Sequence, residues 1–174
     1  MLVGVALLVT LVIVGFVLAR RPGPTGGVIV PDTIARGQPV PNIAGSTIQG
    51  ATVDLAGLRG RPVIVNFWGP SCPPCVTELP LLAAKMQEHA ADGLVVLGVL
   101  TDDPVGGALD FAKAHQATWP TVIDPAGAIK AAYRVVGRPQ SYFVDRSGIL
   151  RSIAIGPLAD ADFERQFALI AGGS

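Results

Sequence analysis

Cys72 and Cys75 are the only two cysteines in a chain of 174 residues, and they stand in the stretch Val63 to Pro80, VIVNFWGPSCPPCVTELP. A CxxC pair can cycle between dithiol and disulfide, with the thiolate as the attacking form. The residues around the pair say where it sits. Val63-Ile64-Val65-Asn66-Phe67-Trp68 is β-branched and aromatic and reads as a buried strand. Gly69-Pro70-Ser71 breaks that run, and Leu79, Leu82, Ala83 and Met86 then recur at helical spacing. The pair therefore falls at a strand-to-helix junction, at a helix N-terminus whose partial positive charge and free N–H groups favour an anion. Pro73 and Pro74 read as the first helical positions, where no intrahelical bond is lost. With Trp68 at the strand end, they are the neighbours able to tune the redox pair.

Two other readings exist for a lone cysteine pair. A structural disulfide closing so small a loop removes little entropy from the unfolded chain. A zinc site needs four ligands, and adding His89 and His115 gives no recognised ligand spacing. Strand, CxxC and helix together favour redox chemistry, which calls for no metal and no cofactor.

The remaining composition sets limits. Thirteen basic and thirteen acidic side chains cancel, and no basic run exists, which argues against a nucleic-acid partner. Residues 1–19, MLVGVALLVTLVIVGFVLA, carry no charge and only Thr10 as a polar side chain. A membrane-spanning helix needs about 20 such residues. The stretch lacks the basic start and small-residue cleavage site of a removable signal, so it reads as an uncleaved transmembrane anchor. Arg20 and Arg21 follow it, an orientation that conflicts with placing the rest of the chain outside the cytoplasm. The chemistry of the remainder is taken to override those two charges. Residues 20–37 are rich in Gly and Pro and read as a linker, and residues 38–174 as one domain.

The elements that must position the pair follow in order. Val40, Ile43, Ile48, Val53 and Leu55, with Gly45 and Gly50 between them, predict a short β-hairpin. The CxxC helix is expected to end near Asp92-Gly93, and Leu94 to Leu100 is a second buried strand. Helices are predicted at Ala108 to His115 and Ile129 to Tyr133, with a short extended segment at 119–123. Ser141 to Asp145 and Ile149 to Ile155 flank a tight turn as a hairpin. Asp160 or Asp162 is placed to cap a last helix carrying Phe163, Phe167 and Ile170. Short buried strands alternating with helices indicate an α/β sheet.

With these residues in view, the chain resembles the TlpA/ResA/DsbE (CcmG) group of membrane-anchored thioredoxin-like proteins, the redoxins. The resemblance rests on the entry GQPVPNIAG with TVDLAGLRGRPVIVNFW, the site CPPC, the following ELP, the middle FAKAHQATWPTVIDPAGAIKAAYRVVGRPQSYFVDRSGIL and the closing helix, nearly all of residues 37–171. It implies a thioredoxin-like α/β fold, a central mixed sheet flanked by helices, with an added N-terminal β-hairpin and an insertion after the CxxC helix. It implies an extracytoplasmic, membrane-tethered thiol–disulfide oxidoreductase in which Cys72 is the nucleophile and Cys75 the resolving thiol, with Cys72 the more exposed. Pro139 matches the family's cis-proline, and Glu78 its functional glutamate, able to exchange a proton with a buried thiol. Asn66 stands where ordinary thioredoxins keep a buried aspartate, so a carboxylate near the sulfurs must come from elsewhere.

Two departures stand out. Most relatives carry Trp directly before the first cysteine, where this chain has Ser71. Arg138 stands directly before Pro139, and it is read either as a solvent-facing charge or as a cation close to the cysteines that favours thiolate and makes the pair more oxidising. Gln140 and Tyr142 are assigned backbone roles only. The implied partners are protein dithiols or disulfides, among them the CxxCH segment of an apocytochrome c, and a membrane electron donor that re-reduces the pair. The alternatives are an oxidant of secreted proteins, a peroxidase of the peroxiredoxin type and a copper chaperone. Ser71 is too close to Cys72 for the peroxidase motif. Gly137-Arg138-Pro139-Gln140 lacks the histidine of the thioredoxin-fold copper carriers.

Overall fold

The structure, a computed structural model, describes residues 34–172. The anchor at 1–19 and most of the linker at 20–37 lie outside the described residues. Among the described residues, no helix is long and apolar enough to cross a membrane.

A hairpin opens the domain, with β1 (Ala44–Ser46) antiparallel to β2 (Thr52–Asp54), and a 3₁₀ turn at Leu55–Leu58 follows. Then come β3 (Val63–Trp68), α1 (Cys75–Glu88), β4 (Val95–Leu100), α2 (Ala108–Ala114), β5 (Thr121–Ile123) and α3 (Ala128–Ala132). The chain closes with β6 (Gln140–Val144), β7 (Leu150–Ile155) and α4 (Asp160–Ala171). Five strands form one mixed sheet in the order β5-β4-β3-β6-β7. β3 lies at its centre, parallel to β4 and antiparallel to β6. This is the thioredoxin-like arrangement that the resemblance implies.

The pleat divides β3 into two chemistries. Val63, Val65 and Phe67 join a core with Val95, Leu97, Val99, Tyr133 and Tyr142. Ile64 and Trp68 face the other core, where Cys75, Leu79 and Leu82 of α1 meet Phe163, Phe167 and Ile170 of α4. Asn66 shares the second face and is the polar member of an otherwise apolar row. Such a strand, buried on both faces, explains the unbroken hydrophobic run in the sequence.

The chain's own N-terminal segment pairs with the start of β7 and with β5. Gly37 and Val40 donate backbone N–H groups to Leu150 and Gly148, and Leu150 N–H donates to Gln38. At the turn of the hairpin, Ile48 N–H donates to the carbonyl of Thr121, and the Gln49 side chain donates to the carbonyl of Trp119.

Two expectations need correction. α1 ends at Glu88, and residues 89–93 continue as turns to Gly93. Neither Asp160 nor Asp162 caps α4, whose cap position is Ala159 without a side-chain bond. Asp160 instead pairs with the buried Lys85 of α1 at 2.8 Å, beside Glu88 and Glu164. These carboxylates hold the Lys85 ammonium, whose pKa rises, against the seam between α1 and α4.

Gly98 lies in β4 between Asn66 of β3 and Thr121 of β5. A methyl group there would collide with the Thr121 hydroxyl and the Trp68 indole nitrogen. Gly98→Ala is therefore expected to lower stability by about 1–3 kcal/mol in urea unfolding. An unchanged midpoint would show that this seam has slack.

Candidate active site

The Cys72–Cys75 disulfide is formed, with its Cα atoms 5.4 Å apart. It lies at the end of β3 because Cys72 N–H donates to the carbonyl of Gly69 and Cys75 N–H to that of Cys72, two tight turns in succession. Helix α1 starts at Cys75, so Pro73 and Pro74 occupy the turn and the cap before it rather than its first positions. Both prolines are exposed. Their carbonyls accept from Val76 N–H and Thr77 N–H as the helix begins. Cys72 is 4% exposed and Cys75 0%, the expected order, although both are largely covered.

Glu78 follows Cys75 by one helical turn and is 1% exposed. Asn66 Nδ2 donates to its Oε2 at 2.8 Å, and the Leu158 N–H donates to its Oε1 at 3.2 Å. The same Asn66 Nδ2 donates to Ser141 Oγ at 2.9 Å. Asn66 Oδ1 is buried with no hydrogen-bond partner among the described residues. Burial pushes the Glu78 carboxyl up to about 7, only partly offset by the bonds from Asn66 and Leu158. A carboxyl in this position exchanges its proton near neutral pH.

Pro139 is buried and its bond to Arg138 is cis. Its carbonyl accepts from Gly156 N–H, and β6 begins at the next residue, opposite Phe67. The Pro139 loop therefore lies at the same end of the sheet as the disulfide. Gln140 and Tyr142 have more than backbone roles here. Gln140 Nε2 donates to the Tyr142 hydroxyl, which donates to the carbonyl of Tyr133. Gln140 Oε1 accepts from Val136 N–H at 3.0 Å. These bonds tie the loop before Pro139 to the sheet.

Arg138 is not a solvent-facing charge; it lies against Ser71, the residue before Cys72, as the second reading has it, but with its charge paired. Its guanidinium pairs with Asp103 and donates to the carbonyl of Thr101 at 2.7 Å and to Ser71 Oγ at 3.1 Å. Trp68 is fully buried and stacks on Phe111 at 5.8 Å, which makes it core. Asp103, Ser141 and the Leu158 N–H were not singled out in the sequence. A signal for Asp103 was present. It follows the carboxyl end of a strand parallel to β3, where loops of such sheets gather around a site.

The Glu78 environment sets a pH dependence. Its folded pKa lies above the ordinary 4.5, so the stability it lends is fully present below pH 4.5 and is lost as pH rises through about 7. Each unit is worth about 1.4 kcal/mol, which makes the loss on the order of 3 kcal/mol. Glu78→Gln stays neutral throughout. The variant is expected to match the parent near pH 4 and to gain on it by roughly that amount by pH 8. Chemical denaturation of the oxidised protein at both pH values checks this, and a pH-independent difference would count against a buried carboxyl with a raised pKa.

Comparison with known proteins agrees with this geometry. The AhpC/TSA family model matches residues 36–153. Thioredoxin-like protein YneN of Bacillus subtilis is 31% identical over 139 residues, covering 78% of this chain and 81% of its own. Thiol-disulfide oxidoreductase ResA of Geobacillus kaustophilus is 29% identical, with 79% of each chain covered. The crystal structure of a thiol:disulfide interchange protein of the thioredoxin family from Chlorobium tepidum superposes with a TM-score of 0.71 at 27% identity, covering 80% of this chain and all of that one. The chain thus belongs to the AhpC/TSA family and is a thiol–disulfide oxidoreductase of the ResA/DsbE type.

Proposed function

We propose that the protein is a membrane-tethered, extracytoplasmic reductase of protein disulfides that uses Cys72 and Cys75, with a role in cytochrome c maturation. The observation that carries the chemistry is the buried Glu78 carboxyl one helical turn beyond the buried Cys75. Cys72, the less covered sulfur at the mouth of the helix, attacks as thiolate. One sulfur of the substrate disulfide joins Cys72 and the other leaves as a thiolate that takes up a proton. Cys75 then gives its proton to the Glu78 carboxylate and attacks Cys72 Sγ, and the second substrate sulfur leaves as a thiolate that takes up the proton from Glu78 or from solvent. The protein ends as the disulfide, and two electrons have passed to the substrate, its first sulfur having been protonated from solvent. Pro139, at the same end of the sheet, borders the surface on which a substrate strand lies during exchange.

The reductive direction is supported by the pairing of Arg138 with Asp103. The argument for an oxidant rested on Arg138 as a cation near the cysteines stabilising the reduced pair, and the Asp103 carboxylate offsets that charge. The reading of residues 1–19 as an anchor places the domain at a membrane surface, where a membrane electron donor restores the dithiol. A substrate of the CxxCH type, as in an apocytochrome c, fits a reductant whose targets are themselves closely spaced cysteine pairs.

An oxidised CxxCH peptide mixed with the reduced full chain tests the assignment. Cys75→Ser is expected to accumulate a mixed disulfide with the peptide, whereas Cys72→Ser forms none. Trapping by Cys72→Ser alone would reverse the roles. A reduction potential towards −120 mV, instead of near or below about −270 mV, would make the protein an oxidant.

A further inference from the structure

The loop after β4 holds a carboxylate that the exchange chemistry just described does not use. Thr101 N–H donates to the carbonyl of Trp68, which fixes this loop to the end of β3 where the CxxC turn begins. Asp103 then reaches across to that turn. Its Oδ1 accepts from Ser71 N–H at 3.2 Å, and its Oδ2 accepts from the Ser71 hydroxyl at 2.9 Å. The same carboxylate pairs with Arg138, the residue before Pro139. Arg138 Nη2 also donates to Ser71 Oγ, closing a ring of three side chains. Asp103 thus joins the residue before Cys72 to the residue before Pro139.

This ring is built into the protein rather than loosely placed at its surface. The Asp103 side chain is 6% exposed and that of Arg138 14%. A side chain at Gly69 would collide with both, so the glycine that ends β3 provides the space in which the pair lies. Burial alone would push the Asp103 carboxyl up, but the bonds from Arg138 and Ser71 outweigh it, and the group stays ionised. The outer charges balance as well. Asp102 takes both its bonds from Lys130, at 2.8 and 2.7 Å, and lies 3.9 Å from Arg138. Arg138 and Asp103 therefore meet at Ser71 on the Cys72 side with Asp102 and Lys130 paired next to them, and Glu78 stands on α1 beyond Cys75.

We infer that Asp103 is a positioning residue of the exchange reaction, holding Ser71 at the approach to Cys72 and cancelling the Arg138 charge there, so that the cysteine pair keeps a more reducing potential. Charge near a thiol acts on the thiolate, and a cation left without its partner in a covered site stabilises that thiolate and with it the reduced pair. Asp103→Asn keeps the shape and one acceptor for Ser71 but removes the charge. Arg138→Gln leaves the Asp103 carboxylate uncompensated and acts in the opposite sense. The inference rests on the assignment of Cys72 as the attacking thiol.

Equilibration of the full chain in detergent with glutathione tests it. The balanced reaction converts protein dithiol and glutathione disulfide into protein disulfide and two glutathione thiols, two electrons passing to glutathione. Asp103→Asn is expected to lower this equilibrium constant about tenfold, a rise of ~30 mV in potential, and to lower the pH at which Cys72 reacts with an alkylating agent. Arg138→Gln is expected to raise the constant by a similar factor, and the double variant to return to within about twofold of the parent, the opposed charges cancelling. Shifts of the same sign in the two single variants, or none in either, would overturn the inference. Should Asp103→Asn fail to fold, Arg138→Gln alone decides by its sign. Peptide trapping by Cys72→Ser would instead remove the underlying assignment whatever the potentials show.

Discussion

The contact between Asn66 and Glu78 is the constraint around which the site is arranged. It crosses from the middle of the sheet to the first turns of α1 and buries a carboxyl where only neutral or hydrogen-bonded groups are tolerated. An aspartate at position 66 would set two carboxyls against each other in a covered space, and one would be forced to stay protonated. The amide avoids this conflict by donating, and Glu78 remains the only carboxyl on that contact. Its titration near neutrality follows from desolvation, which outweighs the two bonds it accepts. Its burial against Asn66 and the Leu158 backbone keeps water from Glu78 and so sustains the shift.

Electrostatics on the two sides of the cysteine pair are divided. Towards the sheet, beyond Cys75, a single carboxyl is held close to its own titration point. At Ser71, the residue before Cys72, Asp103 is matched against Arg138, and the neighbouring Asp102 is matched against Lys130. Proton exchange therefore falls to the buried side, while the cation next to Ser71 carries its own counter-charge. The helix N-terminus supplies the favourable term for the Cys72 thiolate. The antiparallel pairing of β3 with β6 brings the two sides together, since it sets the Pro139 loop at the same sheet end as the CxxC turn.

Much of this was legible in the sequence, for reasons visible in particular residues. The run Val63–Trp68 and the run Val95–Leu100 are buried on both faces, and unbroken hydrophobicity is what such strands require. The CxxC at their junction with a helix, and the position of Glu78, follow from local spacing. Long-range pairing was not legible. Asp160 looked like a helix cap because caps are local, yet its partner is Lys85 on another helix. Arg138 was ambiguous for the same reason, its partner Asp103 being 35 residues away in the chain. The side-chain roles of Gln140 and Tyr142 depend on a loop folding back onto the sheet, which no spacing announces.

The claim that matters most is that Glu78 is a buried acid poised near neutral pH. Carbon NMR titration of the glutamate carboxyls in the oxidised full chain, with Glu78→Gln used to assign the signal, measures it directly. The account predicts a midpoint of about 7 for Glu78. A midpoint near the ordinary 4.5 would contradict it, and would leave Cys75 without its proton acceptor in the resolving step.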